Sequence, residues 1–264
     1  MASHGDPSDP LLLCLHGIGS CGSAFDDQAP LADLLGRHVV AWDAPGYRHT
    51  PDPPKPFTLD DWADAAADVI RREGGGRPAD VLGVSWGGVT GTRLALRHPE
   101  LVHTLILADS STGSGLTPQI ASEMRKRAAD VEKMGLEPFA RSRSPRLLSP
   151  DADPALRDGV AQMMIDSVRM PSYGWACDSM ADTDHRSQLY TIAAPTLVLV
   201  GSDDVVTPPH RSEELADGIP GAELGVVADA GHLANQEQPT EFNAFVRRFL
   251  ERASAVLSDD RHRY

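Results

Sequence analysis

Short apolar runs alternate along the chain with longer segments of helical periodicity. The runs are bounded by Gly, Pro or Asp and cover residues 11–16, 38–43, 80–83, 105–109, 196–201 and 223–227. A short apolar run with few polar interruptions is typical of a strand that is buried on both faces. The pattern therefore predicts about six strands.

The segments between these runs have the period of amphipathic helices. In the segment 59–72, apolar side chains recur at Leu59, Trp62, Ala66, Val69 and Ile70. The same period predicts helices over 27–35, 89–97 and 241–253. Because strands and helices alternate, we expect an α/β fold with a mostly parallel, doubly wound sheet. Reactive groups in such a sheet gather at the carboxyl ends of the strands.

One long segment breaks this alternation. Residues 111–190 contain helical patterns but no strand pattern, and Pro-rich, charged stretches separate those patterns. We interpret the segment as a helical cap inserted into a core formed by residues 1–110 and 191–257. The polar residues 258–264 are expected to form a flexible tail.

Composition narrows the class of partner. The chain has 38 acidic and 24 basic residues and a formal net charge of −14, which disfavours binding to nucleic acid or to an anionic membrane. A small, neutral or weakly charged molecule is the expected ligand. The three cysteines form no metal-ligand or disulfide pattern, and we predict no metal and no cofactor. A signal peptide and a long apolar span are both missing from the pattern, so a cytoplasmic location is expected.

The stretch Gly83-Val-Ser-Trp-Gly87 has the form of a nucleophile elbow. Small residues at both ends let the chain turn sharply from a strand into a helix and lift the Ser85 hydroxyl above the sheet. A Gly-rich turn without catalytic function has the same local composition. The strand pattern before the stretch and the helix pattern after it favour the nucleophile.

A serine hydroxyl attacks efficiently only when a histidine takes its proton and an acid orients that histidine. His232 lies in a loop of small residues after the last predicted strand, and Asp203 and Asp204 end the strand before it. Spacing does not separate these two carboxylates. Asp109 is a third possible acid, although capping of its own loop explains it more simply.

Acyl transfer also needs donors for the developing oxyanion. The backbone N–H of Trp86, directly after the serine, is one candidate. The loop His16-Gly-Ile-Gly19 follows the first predicted strand and offers the N–H of Ile18 as the second.

Together these motifs resemble the α/β-hydrolase superfamily along essentially the whole chain. The matching stretches are Leu-His16-Gly-Ile-Gly19, Trp42-Asp-Ala-Pro-Gly46, Gly83-Val-Ser-Trp-Gly-Gly88, Pro195 to Asp204 and Ala230 to Pro239. The resemblance implies Ser85 as nucleophile, His232 as base, Ile18 and Trp86 as oxyanion donors, and Asp204 as the acid because it is fourth in Gly-x-x-Asp. The last stretch and part of the cap segment are most similar to the 3-oxoadipate enol-lactonases and related esterases.

The sequence departs from that family in three places. At one of them Trp86 follows the nucleophile, where the family frequently has the smaller Met. Only ten residues precede the first predicted strand, so the family's leading strands are expected to be absent or reduced. The loop after the second predicted strand reads Asp43-Ala-Pro-Gly-Tyr-Arg-His-Thr50, which leaves the roles of Tyr47 and Arg48 open.

The expected function is hydrolysis of a small ester or lactone through an acyl-enzyme on Ser85. Hydrolysis of a carbon–carbon bond with the same triad and ligand binding without turnover are the alternatives. The substrate pocket is predicted to be lined by Trp86, Met170, Tyr173 and Trp175. Arg141, Arg143 and Arg146 either bind a substrate carboxylate or belong to a solvated loop.

Overall fold

The computed structural model describes residues 1–260. The strands are β1 (Ala2–His4), β2 (Leu11–Leu15), β3 (His38–Ala41), β4 (Ala79–Val84), β5 (Val102–Ala108), β6 (Thr196–Gly201) and β7 (Glu223–Val227). The helices are α1 (Leu31–Leu35), α2 (Leu59–Glu73), α3 (Trp86–Arg97), α4 (Pro118–Met134), α5 (Leu136–Arg143), α6 (Pro154–Ser167), α7 (Ser172–Ala181), α8 (Pro209–Gly218), α9 (Ala234–Glu237) and α10 (Pro239–Asp260). Short 3-10 turns lie between several of these elements.

The strands form a single sheet in the order β1-β3-β2-β4-β5-β6-β7. All neighbouring strands are parallel except β1, which pairs antiparallel with β3. The expectation of about six strands is therefore corrected to seven. Strand β1 has only three residues, two of them exposed, and so it has no apolar run by which the sequence could reveal it.

Helices cover both faces of this sheet. Every residue of β5 except His103 is buried, although successive side chains of a strand point to opposite faces. Both α3 and α10 contact β5, α2 packs on α3, and α1 packs on α10. The strand order reverses between β2 and β4, and a ligand site is expected beside that reversal, at the carboxyl ends of the strands.

Three helices have no counterpart in the sequence pattern. They are α5, α8 and α9. Helix α8 shows the reason, because only Ser212 and Leu215 are buried in it. A helix with so few buried positions has too weak an apolar period to predict.

Four helices, α4 to α7, lie between β5 and β6. Helix α4 packs on α7, α5 packs on α6, and α7 also contacts α2 of the core. We propose that this segment is the cap expected from the sequence. At the other end, α10 continues to Asp260, so residues 258–260 of the expected tail are helical, while 261–264 lie outside the described residues. No described helix has the length and apolar character needed to cross a membrane.

Candidate active site

Ser85 lies on a sharp turn between β4 and α3. Its backbone has φ 56° and ψ −119°, a strained conformation for a residue with a side chain. The two flanking glycines permit the turn, because a Cβ at Gly87 would overlap the carbonyl oxygen of Leu15 and a Cβ at Gly83 would overlap that of Gly87. The residues beside Ser85 are buried, whereas Ser85 itself remains partly exposed. The turn therefore keeps the Ser85 hydroxyl accessible from outside the core.

Ser85 meets His232 and Asp204 at the carboxyl edge of the sheet. The Ser85 Oγ lies 2.9 Å from His232 Nε2, and His232 Nδ1 lies 2.8 Å from Asp204 Oδ2. Both distances are within hydrogen-bond range. A neutral His232 that donates from Nδ1 to Asp204 accepts at Nε2 from the serine, which is the arrangement a general base requires.

Asp204 is held as an ionised acceptor. Its Oδ1 accepts from the Val206 N–H at 2.7 Å and the Thr207 N–H at 2.9 Å, and its Oδ2 also accepts from the Thr207 hydroxyl at 2.8 Å. Burial alone would raise the pKa of Asp204, but the facing His232 and these donors hold the pKa below its ordinary value. Asp203 is exposed, so the structure separates the two carboxylates that spacing leaves equivalent.

The loop that carries His232 is tied to the cap segment by Glu237. One carboxylate oxygen of Glu237 accepts from the Gly231 N–H at 2.7 Å, and the other accepts from the Ser149 N–H at 2.8 Å. A Cβ at Gly231 would collide with the backbone of Leu148 and Ser149, so the two segments touch directly. Neither Glu237 nor Thr207 is marked by the sequence pattern, because their hydrogen bonds do not follow from chain spacing.

Asp109 supports the same edge without joining the triad. Its two carboxylate oxygens accept from the Gly201 N–H at 2.9 Å and the Ala234 N–H at 3.1 Å. The first amide ends β6, ahead of Asp204, and the second follows His232. Burial, together with the nearby charge of Asp204, raises the pKa of Asp109 to about 7. Asp109 thus connects the two segments that bear Asp204 and His232.

The loop after β2 is fixed by two buried side chains. His16 Nδ1 donates to the Gly17 carbonyl at 2.8 Å, and the Ala44 N–H donates to His16 Nε2 at 3.1 Å. Burial lowers the pKa of His16 to about 4, which keeps the ring neutral. The Tyr47 hydroxyl donates to the Ile18 carbonyl at 2.9 Å, and this contact supplies a role for a residue that the sequence left open.

The two expected oxyanion donors lie beside Ser85. Ile18 and Trp86 line the same cavity as the serine. Among residues 1–260, no carbonyl or side chain accepts from either of their backbone N–H groups. Both amides are therefore free to bind a ligand oxygen.

The indole of Trp86 is fully buried. It stacks on Tyr47 with a centroid distance of 5.6 Å and meets Trp62 edge-on at 5.1 Å. His16 lies 6.0 Å away. This aromatic cluster contacts the loop of Ile18 through His16 and Tyr47, and Trp86 also lines the cavity.

A cavity of about 580 Å³ opens above Ser85. Ser85, His232 and Ile18 lie on its core side. Its other wall comes from the segment 111–190, including Met164 and Tyr173. The volume is in the range of small-molecule sites.

Comparison with known proteins identifies the family. A sequence profile described as "Alpha/beta hydrolase family" matches residues 12–245. The chain belongs to the alpha/beta hydrolase family. This confirms the fold expected from the motifs.

Named relatives match almost the whole hydrolase. It is 28% identical over 257 residues to 3-oxoadipate enol-lactonase 2 of Acinetobacter baylyi, with 95% of this chain and 92% of the relative covered. It is 31% identical over 249 residues to the pimeloyl-[acyl-carrier protein] methyl ester esterase of Neisseria meningitidis serogroup A, with 90% and 75% covered. The crystal structure of a hydrolase from Pseudomonas aeruginosa superposes with a TM-score of 0.85 at 31% identity, with 94% and 92% covered. The protein is therefore a hydrolase with esterase and enol-lactonase relatives.

Two of the four predicted pocket residues of this hydrolase do not line its cavity. Trp86 and Tyr173 do, whereas Met170 and Trp175 do not. The buried face of α7 includes Tyr173 and Ala176, whereas Trp175 is partly buried and packs against the hydrophobic core. Met170 precedes the helix and is 38% exposed.

The hydrolase offers no metal site among its described residues. Within 1–260, no three His, Cys, Asp or Glu side chains are arranged to hold an ion.

Proposed function

We propose that the protein hydrolyses a small carboxylic ester or lactone through an acyl-enzyme on Ser85. The observation that carries the proposal is the hydrogen-bonded chain from Asp204 through His232 to Ser85, with contacts of 2.8 Å and 2.9 Å. This series of hydrogen bonds ends at Ser85, which lines the cavity, so a substrate carbonyl can reach the serine.

In the first half of the reaction, Ser85 Oγ attacks the carbonyl carbon while its proton passes to His232 Nε2. Asp204 stabilises the imidazolium through Nδ1. The carbonyl oxygen becomes negative and is bound by the N–H groups of Ile18 and Trp86. The carbon–oxygen bond of the substrate then breaks, and His232 gives its proton to the departing alkoxide.

The second half returns the enzyme to its starting state. A water molecule gives one proton to His232 Nε2 and attacks the acyl carbon. The bond to Ser85 breaks, the carboxylic acid departs, and the serine recovers its proton from His232. With a lactone, the released hydroxyl stays on the acyl chain, and the product of this step is a single hydroxy acid.

Two named relatives support this bond type. One is called an enol-lactonase and the other a methyl ester esterase, and both names describe cleavage between an acyl carbon and an oxygen. Carbon–carbon hydrolysis would use the same triad, and a receptor would bind without turnover. Substrate turnover separates these three functions.

The test compares wild type with Ser85→Ala on p-nitrophenyl acetate and γ-butyrolactone. We expect wild type to hydrolyse at least one of them and Ser85→Ala to lose at least roughly a thousandfold in kcat. Ser187→Ala is the matched control, because Ser187 is exposed and lies outside the cavity. Equal activity of wild type and Ser85→Ala would rule out the acyl-enzyme.

A further inference from the structure

Three arginines that line the cavity have no acidic partner among the described residues. Arg127 lies on α4, Arg143 ends α5, and Arg146 lies in the 3-10 turn that follows. Within the described part of the chain, no acidic side chain forms an ion pair or a hydrogen bond with any of the three guanidinium groups. All three line the same cavity as Ser85 and His232.

Arg143 has the most unfavourable surroundings of the three. It is partly buried and lies over the ring of Phe139 at 5.8 Å. Its burial lowers the pKa to about 10, and the charges of Arg127 and Arg146 add to the shift. A partly desolvated cation beside two like charges is electrostatically unfavourable, and an anion placed among them would offset that cost.

A shortage of acidic residues does not explain the missing partners. The chain carries 38 of them, and other cations on the cavity wall are paired. Lys126 binds Asp130 at 2.6 Å, and Arg211 binds Glu214 at 3.3 Å. The acidic Glu123, which also lines the cavity, accepts from Gln119.

Arg141 shows what a solvated arginine looks like in this segment. It lies on the same helix as Arg143, is exposed, pairs with Glu137 at 3.0 Å and does not line the cavity. The structure thus separates two arginines that the sequence treats alike. The difference is direction, since residues two positions apart on a helix face opposite sides.

We propose that Arg127, Arg143 and Arg146 form a subsite for a carboxylate, so that the preferred substrate is an ester or lactone with a free carboxylate remote from the scissile bond. A guanidinium group presents two parallel donors that match a carboxylate. The expected substrate is therefore anionic and not the neutral molecule that the net charge suggests, because the local charge of the cavity differs from the surface average. It rests on the proposed function only for the identity of the bond that is cut.

The kinetic test uses monomethyl and dimethyl esters of succinate, glutarate and adipate. The measured quantity is the ratio of kcat/KM for the monoester to kcat/KM for the matching diester. We expect wild type to favour a monoester, and Arg143→Gln to lower that ratio by roughly tenfold to a hundredfold, as expected for loss of a charge-assisted hydrogen bond. Arg141→Gln should leave both rate constants unchanged. A ratio that Arg143→Gln does not alter would overturn the proposal.

A binding test keeps the subsite separate from the chemistry. A calorimetric titration of Ser85→Ala with glutarate should show binding. The affinity should weaken roughly tenfold or more in Ser85→Ala/Arg143→Gln and stay unchanged in Ser85→Ala/Arg141→Gln. Absence of binding, or equal binding by the two double variants, would overturn the subsite. Glutarate binding by a protein that hydrolyses no ester would instead refute the proposed function and retain the subsite.

Folding supplies a third readout. Removal of an unpaired, partly buried charge should raise the melting temperature, so Arg143→Met is expected to be more stable than wild type while it loses the monoester preference. A variant that melts lower and keeps the preference would show that Arg143 is structural.

Discussion

Replacement of Asp204 by Asn would change the tautomer of His232. The carbonyl oxygen of Asn can keep the two backbone amides that now bind Oδ1, from Val206 and Thr207, because only an acceptor fits there. The amide NH₂ would then face His232 Nδ1, which lies 2.8 Å from Oδ2 in the wild type. The imidazole would move its proton to Nε2 and could no longer accept one from Ser85.

The expected loss can be worked from the contacts at Oδ2. That oxygen receives two charge-assisted hydrogen bonds, from His232 and from the Thr207 hydroxyl, each worth about 1.5 to 3 kcal/mol. Their sum brackets the roughly 10⁴-fold loss in kcat that the same change causes in a Ser-His-Asp protease, about 5 kcal/mol. Asp204 does not line the cavity, so KM should change little.

The assay is steady-state hydrolysis of the best ester, with a melting curve to show that the variant is folded. Asp203→Asn is the matched control: its carboxylate is exposed, and kcat should stay within about twofold of wild type. A loss below roughly tenfold for Asp204→Asn, or equal losses for the two variants, would refute the assignment of the acid.

Three further outcomes follow from the geometry. Gly87→Ala should abolish activity and lower the melting temperature, because the new Cβ overlaps the Leu15 carbonyl. Its control is Gly159→Ala in α6, which has open space around it and should add about 0.5 to 1 kcal/mol of stability. Equal melting temperatures of the two variants would contradict this expectation. Tyr47→Phe should lower kcat roughly fivefold or more, because it leaves the partly buried Ile18 carbonyl without its donor. An unchanged kcat would show that the Tyr47 hydroxyl does not support the loop of Ile18. The folded-state pKa of Asp109 is raised to about 7, so its ionisation costs stability as the pH rises above the unfolded pKa of about 4. Measured by urea unfolding, the free energy of unfolding of Asp109→Asn should therefore gain up to about 3 kcal/mol relative to wild type between about pH 5 and about pH 8. A difference that stays constant with pH would contradict the raised pKa.

The strand ends could be predicted because each is marked locally. A buried parallel strand is an apolar run, and Gly83 and Gly87 mark the turn that holds Ser85. His232 is marked by its loop of small residues after the last strand. Since parallel strands end at the same edge, a one-dimensional pattern was enough to bring these residues together.

Other features depend on side-chain directions and distances that the sequence pattern does not contain. Glu237 binds two amides that are far apart in sequence, and no spacing rule connects them. Whether Arg143 or Arg141 lines the cavity depends on how α5 packs, and the sequence pattern does not predict that helix. Residue type alone favours Met170 and Trp175 as pocket residues, whereas the packing of α7 places Tyr173 at the cavity.

The measurement closest to the central claim is the mass of the enzyme during turnover. Wild type mixed with p-nitrophenyl acetate, quenched in acid and digested, should carry one acetyl group on the peptide that contains Ser85. Ser85→Ala should carry none there, and His232→Ala should be acetylated far more slowly. Rapid ester turnover with no acyl group on Ser85, or with the group on another residue, would contradict the account.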